Sequence, residues 1–91
     1  KAAAGPPRPP ERRRLSFKQQ QALRTLPGRI EALHAAVASL QATLSDPALY
    51  ARDRNAFARA SVDLVATQAE LAAAEDEWLA LEILREEIES K

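Results

Sequence analysis

The sequence contains no cysteine, no methionine, two glycines and a single histidine, His34. Without cysteine there is no disulfide framework, no thiolate zinc site and no thiol nucleophile. One histidine does not build a histidine-based metal centre or proton relay. Two glycines cannot line a phosphate-cradling loop, and neither GxxxxGKS/T nor GxGxxG occurs. No apolar run approaches the roughly 20 residues needed to span a bilayer, and no stretch resembles the apolar region of a secretory signal. Methionine is missing at position 1 as well, which points to a segment excised from a longer chain. These absences leave no expectation of catalysis, metal or cofactor within these residues.

Charge of one sign is also missing on average. Thirteen Lys and Arg balance thirteen Asp and Glu over 91 residues. The balance hides a gradient. Residues 1–30 carry eight basic side chains against Glu11 alone, a net +7. Residues 31–60 carry three of each sign. Residues 61–91 carry nine acids against Arg85 and Lys91, a net −7. A neutral chain with such dipolar ends points to a polyanionic partner for one end, or to pairing of the two ends with each other.

The first 15 residues hold four of the six prolines and the bases Lys1, Arg8, Arg12, Arg13 and Arg14. Pro6-Pro7 and Pro9-Pro10 favour extended, solvated backbone. The segment reads as a flexible basic linker, with a proline-rich adaptor ligand as the sharper alternative.

From Ser16 the pattern turns helical. Ser16-Phe17-Lys18-Gln19 has the spacing of a capping box. Leu23, Leu26, Ile30, Leu33, Val37, Leu40 and Leu44 follow at alternating steps of three and four, a run of a and d positions. Pro27-Gly28 falls inside that run without shifting its phase, so a distortion near Pro27 is expected rather than a break. Asp46-Pro47 and Asp53 offer caps for a new turn and a second helix. That helix is expected over about 54–89, with Phe57, Leu64, Leu71 and Trp78 seven apart. Ala60, Thr67, Ala74, Leu81 and Ile88 sit three residues further on each time, and the small ones let two helices approach closely.

The expected fold is all-α: a two-helix antiparallel coiled-coil hairpin behind a disordered Pro/Arg-rich N-terminal linker. The linker covers 1–15 and the hairpin 16–91, with helices about 17–45 and 54–89 and a turn about 46–53. Folding the chain near residue 50 sets Leu23 across from Trp78 and Ile30 across from Leu71, and suggests an Arg29–Glu70 surface pair. His34, at an e position, reads as a flank residue touching the opposite helix. Tyr50 reads as packing under the connector against Phe57. Glu75, Asp76 and Glu77 read as a solvated run.

The basic residues are the functional candidates. Arg8, Arg12, Arg13, Arg14, Lys18, Arg24, Arg29, Arg52 and Arg54 suit phosphate contacts, which give salt-sensitive affinity without sequence readout. No aromatic interleaving indicates base stacking. The hairpin returns Glu86, Glu87 and Glu89 to the neighbourhood of Arg12–Arg14. The arm therefore binds phosphate only where it outcompetes the acidic end of its own second helix.

Particular strings carry a resemblance. They are Leu15-Ser16-Phe17-Lys18, Leu26-Pro27 leading into Ile30-Glu31-Ala32-Leu33, and Asp46-Pro47-Ala48-Leu49-Tyr50-Ala51-Arg52-Asp53. Glu77-Trp78-Leu79-Ala80-Leu81-Glu82 with Leu84-Arg85-Glu86 completes them. In order and spacing, residues 15–88 resemble the C-terminal domain of Uup-type ABC-F ATPases. The resemblance implies a bacterial, cytoplasmic parent with two ATP-binding cassettes and no membrane domain. ATP and Mg would be held by the cassettes, outside this chain. It also implies a coiled-coil hairpin with DNA-binding capacity. Relatives that act at the ribosome make RNA a second target. The helices here are richer in Ala and Arg than those of many such domains. A structural hairpin docking onto the parent's ATPase domains or the ribosome is the alternative, and the tRNA-contacting arm of a synthetase a third reading. A monomeric hairpin is expected rather than a dimer.

Overall fold

The computed structural model describes residues 14–90. Three helices follow one another: α1 (Phe17–Leu44), α2 (Pro47–Arg52) and α3 (Arg54–Glu89). The two long helices pack against each other as a hairpin, and α2 closes the turn. At 1.5 Å per residue the 36 residues of α3 extend about 54 Å. Arg8, Arg12 and Arg13 of the basic arm lie outside the described residues.

Local chemistry fixes every helix start. The Gln19 N–H donates to Ser16 Oγ at 3.0 Å, while the Ser16 N–H donates to Gln19 Oε1 at 2.8 Å. This reciprocal pair satisfies two donors that the first turn would otherwise leave bare. Asp46 caps α2 by accepting from the Ala48 N–H at 3.0 Å, with Pro47 in the first turn. Asp53 caps α3 by accepting from the Ala56 N–H at 3.0 Å, while its own N–H closes α2 on the Leu49 carbonyl at 2.8 Å. One residue thus ends one helix and begins the next.

Pro27 lies inside α1, which runs through it as one helix, as the unbroken heptad phase suggested. Pro27 has no N–H to offer the Leu23 carbonyl, and the packing on either side holds the helix together. Gly28 is equally unconstrained, since a Cβ built there would meet nothing within 4 Å.

The seam is thin. Leu26, Leu33, Ala74 and Leu81 form the buried cluster, with Ala22, Leu23, Ile30, Leu71 and Trp78 packed against it. All four buried members sit at d positions. The bulkier a residues are half-buried, because two helices cannot enclose a Trp or Leu on every side. Small Ala60 and Ala74, at 8% and 5% exposure, are enclosed to the same degree as the buried leucines. They let the backbones close, as their spacing suggested. Among the described residues no side chain is fully buried, so the hairpin leans on a long, shallow contact rather than a sealed core.

Candidate nucleic-acid interface

The described basic residues singled out from the sequence as phosphate contacts fall into two groups. Arg14, Lys18, Arg24 and Arg29 form the base group, running from the start of α1 to its middle at Arg29. Arg52 and Arg54 occupy the tip. All six are exposed, and none makes an ion pair among the described residues. At about 100° per residue, Lys18 and Arg29 lie about 20° apart around the helix, whereas Arg24 is turned about 120° from Lys18. The base therefore offers one two-residue basic face and a third charge beside it.

The expected Arg29–Glu70 pair does not form. Two long exposed side chains gain little Coulomb energy in water and would lose rotamer freedom by pairing. The contact across the seam lies on the other flank. His34 Nε2 and Glu75 Oε2 are 3.2 Å apart, both about half exposed or more. His34 touches the opposite helix as its e position suggested, and Glu75 leaves the solvated run to meet it. Glu75 sits at the same phase of its own helix, which is how antiparallel helices face flank to flank.

The acidic end is partly occupied by its own helix. Arg85 sits at the phase of Trp78 and donates to Glu82 and, at 3.1 Å, to Glu89. Its guanidinium is held above its ordinary pKa, first by the hydrogen bond to Glu82 and then by that to Glu89. Glu86 and Glu87 are exposed and have no ion partner among the described residues. No basic residue stands in the last turn of α3, so these carboxylates meet the negative end of the helix dipole unopposed.

At the tip, Leu49 turns inward and is buried at 7% exposure. It belongs to no heptad, so periodicity could not single it out. Tyr50 stands edge-on to Phe57, with centroids 5.2 Å apart and planes at 80°. The Arg54 guanidinium lies over the same ring at 5.3 Å. Tyr50 packs against Phe57 as the sequence suggested, yet keeps 52% of its surface exposed. The tip is thus a capped turn showing one aromatic edge and two arginines.

Among the described residues, no cluster of His, Cys, Asp and Glu is placed to hold a metal. No helix there is long and apolar enough to cross a membrane. A protein-family model described as the ABC transporter C-terminal domain matches residues 14–83. The chain belongs to that family. No curated protein and no solved structure matches it. The family match takes in Arg14, Lys18, Arg24, Arg29, Arg52 and Arg54. It stops before Glu86, Glu87 and Glu89, and begins after Arg8, Arg12 and Arg13. Both described basic groups therefore belong to the family's domain, while the acidic terminus and most of the arm flank it.

Proposed function

We propose that this chain is the nucleic-acid-binding C-terminal hairpin of a cytoplasmic tandem-cassette ATPase of the Uup-type ABC-F kind. It grips duplex DNA through phosphates and reads no sequence. The observation that carries this reading is the set of exposed bases without ion partners at the base of the hairpin, inside the family span and next to the Arg12–Arg14 arm. Exposed guanidinium and ammonium groups displace condensed counterions from a duplex, which supplies affinity without base contacts. The ATP and Mg sites belong to the cassettes of the parent, and the hairpin serves as their nucleic-acid handle.

A second reading rests on the tip. Half-exposed Tyr50 with Arg52 and Arg54 suits docking onto the parent's ATPase domains or a ribosomal surface. Binding of a labelled short DNA duplex, followed by fluorescence anisotropy, separates the two. The phosphate reading expects binding at low salt that is lost when Arg12, Arg13 and Arg14 are changed to Ala, while a Tyr50→Ala variant keeps it. No binding at low salt defeats that reading. Retained binding in the triple variant moves the contact off the arm.

A further inference from the structure

The second long helix carries two apolar stripes, and the hairpin uses only one. Opposite the seam, Ala58, Val62, Val65, Ala69, Ala72, Asp76, Leu79 and Ile83 follow one another at steps of four and three. This is a second heptad series in the same helix, broken by one acid. Every member is exposed. Val62 and Val65 each show 67% of their surface, Leu79 53% and Ile83 49%. A solvent-facing helix surface ordinarily carries charge here. This one places four large aliphatics in line, with Ala66, Ala73 and Ala80 on their flank.

Charge identifies the occupant. The basic residues of α3 without an ion partner among the described residues, Arg54 and Arg59, lie at its start; Arg85 near the other end is held by Glu82 and Glu89, which leaves Glu86 and Glu87 free there. A parallel neighbour would set like charges together. An antiparallel copy of the same helix sets opposite charges together at both ends, and opposes the two helix dipoles. Arg59 and Glu87 both flank the stripe and have no ion partner among the described residues. A two-fold axis at the middle of the stripe, between Ala69 and Ala72, seats Val62 beside Leu79 of the second copy and Ala58 beside its Ile83. Arg59 of each copy then stands five residues, about 7.5 Å along the helix, from Glu87 of the other, a gap that the two long side chains span.

We infer that the outer face of α3 is a self-complementary surface on which a second copy of this chain docks antiparallel. The dimer stacks two hairpins back to back, leaving the α1 bases at the base of each hairpin on the outside. It replaces the monomer expected from sequence, and it stands or falls independently of the nucleic-acid reading. Its weak layer is the one in which Asp76 meets Val65 of the second copy. A carboxylate there must stay hydrated at the edge of an apolar contact.

Sedimentation equilibrium of the full 91-residue chain, from micromolar to near-millimolar concentration, tests the proposal. The expected result is a concentration-dependent doubling of mass. A Val62→Glu, Val65→Glu double variant stays monomeric with its far-UV helicity intact, because both side chains point away from the seam. Asp76→Leu tightens association by roughly tenfold, the worth of one well-buried apolar side chain at a partial contact. Arg59→Glu weakens it, and Arg59→Glu with Glu87→Arg restores it. Since the chain has no cysteine, an introduced one reports register with a short thiol cross-linker. Ala72→Cys links to itself, whereas Ala66→Cys alone does not. A monomeric mass at every concentration overturns the proposal. So does a dimer that survives the double Val substitution, or one in which Ala66→Cys links as well as Ala72→Cys.

Discussion

The base and the tip of this hairpin reach order by different means. At the base, Leu26, Leu33, Ala74 and Leu81 bury one another, and the backbone is poor: Pro27 lacks a donor and Gly28 lacks a side chain. At the tip, packing is sparse, with Leu49 the buried side chain of α2, and the backbone is tightly specified. Asp46 and Asp53 cap successive helices over eight residues, and Tyr50 braces Phe57. Side-chain burial carries one end, and hydrogen-bonded caps carry the other. Packing tolerates a flawed backbone where the two helices already enclose apolar surface. A six-residue helix with little to bury has to be specified locally instead.

This contrast sets the scale of what substitutions do. The largest effect belongs to the base. Leu33→Ala should cost about 2–3 kcal/mol, at the low end for core leucines because the seam is shallow and can relax. Chemical denaturation followed by far-UV circular dichroism measures it. A cost below that of any tip substitution would reverse the comparison. Next comes Asp53→Ala, which removes the α3 cap and should cost about 1 kcal/mol. Amide exchange should quicken around Ala56 and Phe57 while Leu33 stays protected, which places the damage at the tip. The smallest effect is a gain. Gly28→Ala should add about 0.5–1 kcal/mol, since the helix loses a flexible residue and the new methyl meets open space. A loss of stability there would mean that the Pro27-Gly28 step needs its freedom.

Much of the fold was legible because helical periodicity and capping are local codes. The Ser16 box, the heptad run from Leu23 to Leu44 and the sevenfold spacing of Phe57 to Trp78 state an antiparallel pair directly. Other features depend on register or on space, which the string does not carry. Leu49 is buried because a short helix folds over the end of the seam, outside any heptad. Glu75 meets His34 because the e flanks face each other. Arg29 and Glu70, read by the same logic on the g side, remain apart because nothing holds two solvated side chains together. The basic residues could be named from sequence. Their division into a base group and a tip group, with Lys18 and Arg29 sharing a face, needed the helices in place.

The same division of the molecule gives the decisive experiment. Salt dependence of duplex binding counts phosphate contacts, at about 0.9 of slope in log affinity against log salt for each. The account assigns those contacts to the basic arm and the base of the hairpin that follows it, and none to the tip. Lys18→Ala with Arg24→Ala and Arg29→Ala should flatten the slope and weaken binding, whereas Arg52→Ala with Arg54→Ala should leave both near their original values. A slope unchanged by the base substitutions, or one flattened only by those at the tip, would contradict it.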